Sequence, residues 1–450
     1  MKYSTAEHIT IIISMTKWIV YSSVVGVLVG ISTTIFLKTL GWGTGLIQQA
    51  PHPLLLLPLS LVITQWLVNR FAADAKGHGT EKVIEAVHTR MGKIALSVVP
   101  VKLLGTVLTI ASGGSAGKEG PCAQIGAGLA SAFADVMKIN DQDRQKLVIC
   151  GISAGFASVF GTPIAGAIFG VEVLFLGQLL YEVLLPAFVS GMVSYHVSDI
   201  LGNQYFHSNL QIMPFADTIM LPHAFLLGII CGLAALLLIK LLDYVDELFA
   251  RLDDYTYFKP FAGGVILCGI GALVSVQYLG LGAETMEAGL TGQALPVGAA
   301  FWKALATAIT LGCGGSGGIL TPIFFIGTSV GNLFGMIVAP ANLAVYSAIG
   351  LVATLSAAAN TPLSAAIMAV ELFGSQIAPY AAISCVVSYV FVGHNSVYPS
   401  QILIARKSAS LAVDTGKMLA QAKPVRMYPR KGSTFRRLVL WLWRKRKGRS

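Results

Sequence analysis

Two short stretches of this 450-residue chain could do chemistry, Gly117-Lys-Glu-Gly-Pro121 and Gly317-Gly-Ile-Leu-Thr-Pro322. In each, glycines permit irregular backbone and the proline suits the first turn of a helix that follows. Each therefore reads as a helix N-terminus set within an apolar region. The first amides of a helix have no intrahelical partner and carry about half a positive elementary charge, so an anion is their natural ligand. Several partial charges hold an ion more loosely than fixed lysines would, and conduction needs that looseness. Glu119 lies inside the first N-terminus. A carboxylate there is itself an anion, able to occupy the site it guards and to leave it on protonation, which makes Glu119 a candidate gate and proton carrier. Lys118 beside it is expected to supply long-range potential or an ion pair rather than direct coordination. The structural alternative is that the glycines only let helices pack and the prolines only kink them.

Two matched copies argue against that alternative. The stretch Lys102–Pro121 recurs 201 residues later as Lys303–Pro322, with the lysine, Gly-Gly-Ser and proline coinciding. Gly161-Thr-Pro-Ile-Ala-Gly-Ala-Ile-Phe-Gly-Val-Glu172 returns as Asn360-Thr-Pro-Leu-Ser-Ala-Ala-Ile-Met-Ala-Val-Glu371 at an offset of 199, and Gly77-His-Gly-Thr-Glu81 meets Gly280-Leu-Gly-Ala-Glu284 at 203. Three blocks at nearly one spacing divide the chain into two halves, 1–205 and 206–406, followed by a tail, 407–450. Interrupted apolar segments at equivalent places in two halves point to a substrate site at the repeat interface.

The elements that must position these motifs are apolar segments near 18–38, 53–69, 95–111, 122–137, 147–175, 183–201, 221–242, 261–279, 297–312, 322–339, 343–372 and 379–393. Several fall short of the roughly 20 residues of a perpendicular span, as expected of helices lining a polar path. Residues 1–17 carry no small-residue cleavage site and are expected to lead into the first helix rather than to be removed.

Composition agrees with a membrane protein. Hydrophobic residues make up 55% of the chain and charged residues only 12%, with 48 Gly and a mean hydropathy of +0.72. That pattern predicts an all-α polytopic protein packed through small residues and excludes a disordered chain, a coiled coil or a secreted disulfide scaffold. The formal charge of +10 belongs to the tail, where residues 407–450 hold 13 Lys and Arg against Asp414, while residues 1–406 hold 18 against 20 acids. A basic tail after the last apolar segment predicts a cytoplasmic C-terminus attracted to anionic lipid. No aromatic-interleaved basic domain supports nucleic-acid binding. Six cysteines sit singly in apolar runs and are expected to be packing residues; no metal or cofactor is expected, since metal-ligand spacings and phosphate loops are absent.

At this point the residues resemble a known family. Gly117–Pro121 resembles the G-(K/R)-E-G-P motif of the CLC chloride channels and proton-coupled anion exchangers, Gly317–Pro322 their G-G-x-x-x-P motif, and Gly77–Glu81 stands where they carry G-S-G-x-P. With the Gly-Thr-Pro block and Tyr398 before Pro399-Ser-Gln401, the likeness spans about residues 20–406. The resemblance implies a homodimer in a cell inner membrane, one pore per subunit, and two inverted repeats of broken, tilted helices. It also implies halide contacts from the backbone amides of Lys118, Glu119, Gly120, Ile319 and Leu320, with Glu119 as the external gate and Tyr398 as a central hydroxyl. Gly117, Thr321 and His78 complete the candidate anion-binding set.

Two departures matter. His78 replaces the family's serine, which opens the choice between chloride and fluoride, because an imidazole could donate to a smaller, more basic ion. The fluoride-exporting branch of the family also departs there. Val173 stands where the proton exchangers carry a second glutamate after Glu172, so proton coupling needs another route or is lost; a passive chloride channel is the alternative. Glu172 and Glu371 are expected to be structural acids at helix ends. The family's paired CBS domains are not expected in the 44 residues after Arg406. Two further classes are weaker. Gly113-Gly-Ser-Ala-Gly117 and Gly314-Gly-Ser-Gly-Gly318 satisfy a serine-hydrolase pattern, but apolar helices rather than strands precede them. An organic-solute transporter would need aromatic or polar side chains where Gly, Ile and Leu flank the site.

Overall fold

Glycine and proline at matched offsets end and restart helices, so short apolar helices alternate with longer spans along the chain. The computed structural model describes residues 2–208, 210, 217–408, 413–421, 434 and 437. The expected basic tail, with its attraction to lipid, lies mostly outside the described residues. Eight helices come first: α1 (Lys2–Gln48), α2 (Leu57–Phe71), α3 (Gly79–Thr89), α4 (Val98–Ala111), α5 (Glu119–Val136), α6 (Asp141–Phe160), α7 (Pro163–Glu172) and α8 (Tyr181–Ile200). Eight follow: α9 (Asp217–Ala250), α10 (Phe258–Leu273), α11 (Ala283–Leu290), α12 (Ala299–Gly312), α13 (Leu320–Val338), α14 (Leu343–Ala359), α15 (Pro362–Phe373) and α16 (Ala378–Phe391). Six spans among the described residues, including much of α1, α9 and α13, are long and apolar enough to cross a membrane.

Among the described residues, the twelve apolar segments read from the sequence become sixteen helices, for two physical reasons. Segment 147–175 breaks at Gly161, in the left-handed region at φ +72°, before Pro163 opens α7; segment 343–372 breaks the same way at Asn360 before Pro362. The short helices α3 and α11 have too few apolar residues to stand out by hydropathy. Both begin at the end of the repeated Gly-x-Gly block.

Side-chain contacts repeat reciprocally between the halves. The Thr310 hydroxyl accepts from the Ser115 amide at 3.0 Å, and the Thr109 hydroxyl accepts from the Ser316 amide at 3.1 Å. Glu371, ending α15, accepts from the Ile164 and Ala165 amides that open α7, at 2.9 and 2.7 Å. Glu172, ending α7, accepts from the Leu363 and Ser364 amides that open α15, at 3.0 and 2.9 Å. Each glutamate thus caps the other half's helix, satisfying orphan amides and the dipole together. Such exchange of identical partners is the mark of a pseudo-two-fold axis between inverted repeats. A three-stranded patch, β1 (Phe175–Leu176), β2 (Ile402–Leu403) and β3 (Lys417–Met418), ties the end of the second repeat back to the first.

Packing between paired helices depends on missing side chains. A Cβ on Gly126 of α5 would lie 2.4 Å from the Gly151 carbonyl oxygen of α6, and a Cβ on Gly327 of α13 would lie 2.4 Å from that of Gly350 in α14. Backbones that close stabilise each other by dispersion where no hydrophobic drive exists between helices. Gly126→Val is expected to cost at least about 1–3 kcal/mol and to lower the melting temperature in detergent. Gly41→Val, whose Cβ meets nothing within 4 Å, leaves the melting temperature unchanged.

Candidate anion site

The helix breaks place two N-termini against each other. α4 ends at Ala111 and α5 begins at Glu119; α12 ends at Gly312 and α13 begins at Leu320. Gly113 and Gly314 take nearly the same backbone torsion, φ +108° and +107°, which a side chain would strain, so the two breaks share one geometry. The turns are then stitched together. The Gly117 amide donates to the Gly318 carbonyl at 2.7 Å and the Gly318 amide to the Gly117 carbonyl at 2.6 Å. Gly117 therefore spends its amide on joining the halves, whereas the sequence placed it among the anion contacts.

Beyond that stitch, the amides of Lys118, Glu119, Gly120, Ile319 and Leu320 donate to no acceptor among the described residues, and neither α5 nor α13 has a side-chain cap from its N-cap residue. Glu119, Ile319 and Leu320 are each 1% exposed. Unsatisfied donors at that depth cost several kcal/mol each, so the arrangement calls for a negative partner.

Part of that partner is supplied by Glu119. Its carboxylate reaches across the pseudo-axis and accepts from the Thr321 amide at 3.0 Å and the Thr321 hydroxyl at 2.6 Å. A group from the first N-terminus thus sits on the second. Glu119 and Thr321 also line a cavity of about 230 Å3, with Lys118, Phe160, Tyr205 and Phe324.

A second, larger cavity of about 620 Å3 is lined by Lys76, His78, Glu81, Asp243, Asp246 and His394, among others. His78 pairs through its backbone with Gly317, holding the start of α3 against the turn before α13. His78 Nδ1, Thr80 Oγ1 and Tyr398 Oη are buried without a hydrogen-bond partner, and the His78 and Tyr398 rings stand 6.3 Å apart. Tyr398 lines neither cavity. Of the residues singled out in the sequence, the structure gathers Lys118, Glu119, Gly120, Ile319, Leu320 and Thr321 at the facing N-termini, and His78 and Tyr398 beside each other on the second cavity's side.

Three features escaped the sequence reading. Thr321 as the receptor of Glu119, and Ser400 as a partner of Glu81, join residues hundreds of positions apart. Lys102 and Lys303 did leave a signal, since they coincide in the repeat. Lys102, fully buried, donates to the Ala75 carbonyl at 3.1 Å and to the Gly77 carbonyl; Lys303, equally buried, donates to the Tyr278 and Gly280 carbonyls at 3.3 and 2.7 Å. Each ammonium clamps the loop before α3 or α11. The hydrolase reading loses its base: the Ser115 and Ser316 hydroxyls bond Thr307 and Thr106, and His394 accepts from the Lys407 amide.

Known proteins share this fold. A family model described as voltage gated chloride channel matches residues 59–393. The chain belongs to that family. It is 33% identical over 412 residues to a chloride/fluoride channel protein of Pseudomonas syringae pv. tomato, covering 89% of each chain. An H(+)/Cl(−) exchange transporter of Salmonella typhi is 27% identical over 379 residues, covering 78% of this chain and 80% of the relative. Among solved structures, a CLC-type fluoride/proton antiporter superposes with a TM-score of 0.81 at 28% identity, covering 86% of this chain and 98% of that one. The family's members are membrane transporters and channels, and this member is a multi-pass membrane protein.

If Lys102 holds the loop that carries His78, then Lys102→Met, which keeps the length and loses the charge, leaves two buried carbonyls unpaired at a cost of about 1–3 kcal/mol each. A lowered melting temperature in detergent, with halide binding weakened in parallel, is the expected result.

Proposed function

We propose that this protein carries halide across a cell inner membrane in exchange for protons, with Glu119 as the gate. One observation supports the reading above others: a carboxylate of one N-terminus seated on the amide and hydroxyl of the other, among free amides that favour an anion. Protonation removes the charge that holds Glu119 on Thr321, so a halide and a proton take turns at one place, and alternation of that kind couples their movements. Ion contacts are assigned to the amides of Lys118, Glu119, Gly120, Ile319 and Leu320, to the Thr321 amide and hydroxyl once Glu119 departs, and to His78 and Tyr398 on the far side. No covalent chemistry is assigned.

Fluoride is the favoured halide. His78 Nδ1 and the Tyr398 hydroxyl, both buried without a partner, offer hydrogen-bonding capacity that a small, strongly hydrogen-bonding ion uses best, and two relatives of this chain are named for fluoride. Chloride without proton coupling is the second reading, on the ground that Val173 offers no second carboxylate.

The orientation follows from basic residues. The face that carries β1–β3, the α5–α6 turn and the end of α3 is continuous: His88 bonds the Leu174 carbonyl and Gln145 the Val87 carbonyl. It holds ion pairs of Lys17 with Asp143, Arg144 with Asp135 and Lys146 with Glu182. The opposite ends of these helices carry Lys38, on the Leu201 carbonyl, and few other basic groups among the described residues. Positive-inside bias supports a cytoplasmic side for the β1–β3 face and the 620 Å3 cavity, in keeping with a cytoplasmic tail. The halves 1–205 and 206–406 act as the two transport repeats, with 407–450 as a cytoplasmic tail. A homodimer with one pathway per subunit completes the proposal, on the family resemblance.

Proteoliposomes loaded with fluoride or chloride in parallel, with external pH recorded, test it. Fluoride efflux is expected to exceed chloride efflux and to drive protons inward against their gradient. Glu119→Gln abolishes the proton movement; proton coupling undiminished in that variant contradicts the gate.

A further inference from the structure

Glu81 repeats, at the second cavity, the arrangement of Glu119 at the first. Glu119 opens α5 and its carboxylate accepts from both the amide and the hydroxyl of one residue, Thr321, at 3.0 and 2.6 Å. Glu81 lies in the first turn of α3, and its Oε1 accepts from both the amide and the hydroxyl of one residue, Ser400, at 2.9 and 2.5 Å. An amide beside a hydroxyl on the same residue is an anion receptor, and each of the two is filled by a glutamate from the opposite half of the chain. Glu119 lines the 230 Å3 cavity and Glu81 the 620 Å3 cavity.

The second oxygen of Glu81 adds an independent observation. Oε2 is buried with no hydrogen-bond partner, and so are His78 Nδ1, Thr80 Oγ1 and Tyr398 Oη nearby in the chain and the fold. A carboxylate serving only to pin the turn at Tyr398–Gln401 would need neither an orphan oxygen nor a place on the wall of a cavity. Val173 supplies no acid on this side, so a proton bound for Glu119 needs another group to receive it.

We propose that Glu81 is a second proton-exchanging gate, at the cytoplasmic end of the pathway, releasing the Ser400 receptor to a passing halide each time it is protonated. This rests on the exchange reading above. The proton comes from water in the 620 Å3 cavity and binds Oε2; the neutral carboxyl then loses its charge-assisted hold on the Ser400 amide and hydroxyl. Loss of the proton reverses the step, and no bond other than O–H is made or broken. The charged and titratable groups around the cavity are Lys82 and Glu85 on α3 itself, Lys76 and His78 before it, Lys102 on α4, Asp243 and Asp246 on α9, and His394 after α16. They set the field in which Glu81 titrates.

The test uses the full chain in proteoliposomes with a fluoride gradient, reading fluoride and proton fluxes separately. Wild type must first show proton movement coupled to fluoride; a wild type without it overturns the exchange reading and, with it, this proposal. With the wild type coupled, Glu81→Gln is expected to lose proton flux by at least about tenfold while fluoride flux falls far less. Glu81→Asp recovers much of the proton flux. Ser400→Ala, which weakens the hold on the charged carboxylate, moves the proton-flux profile toward higher pH by about half a unit. Equal losses of both fluxes in Glu81→Gln, undiminished coupling in that variant, or an unshifted profile in Ser400→Ala overturns the second gate and leaves Glu119 in place.

Discussion

Backbone amides that begin a helix in the middle of a low-dielectric slab have no water to turn to, and the rest of the molecule is arranged around that constraint. Two such ends, from α5 and α13, are brought face to face by the mutual Gly117–Gly318 bonds. Their dipoles converge where no cation side chain need enter, so the attraction stays soft enough to release what it holds. The Glu119 carboxylate on Thr321 shows how the site satisfies itself with the charge already in the chain.

The same constraint accounts for features remote from the site. Helices that stop inside the protein expose both amides and carbonyls, and each set needs a partner. Glu172 and Glu371 exchange caps across the pseudo-axis; Thr109 and Thr310 exchange hydroxyls; Lys102 and Lys303 cover the carbonyls of the loops before α3 and α11. Each solution appears twice because the sequence appears twice. Glycine at the α5–α6 and α13–α14 crossings lets these helices press backbone to backbone, so that close packing between the paired helices comes from missing side chains.

Much of this was legible in the sequence, and the reason is local. A Gly-rich break followed by proline announces a helix start, and its recurrence some 200 residues on announces a partner for it. Glu119 stood out because acids are scarce among apolar neighbours. What could not be read was long-range choice. Nothing in the type or spacing of Thr321 or Ser400 says which glutamate it receives, and α3 and α11 are too short and too polar for hydropathy to mark. The breaks at Gly161 and Asn360 were written in the Gly/Asn-Thr-Pro blocks but masked by apolar residues on both sides.

Competition between the Glu119 carboxylate and a halide for one set of donors is the core of the account. Titration calorimetry of fluoride and chloride binding to purified wild-type protein and to Glu119→Gln in detergent measures that competition without any membrane or proton gradient. Removal of the competing charge is expected to tighten halide binding by about tenfold or more, equivalent to about 1.4 kcal/mol. Equal affinity in the two proteins would mean that the carboxylate and the ion do not share a place, and the mechanism built on their exchange would fall.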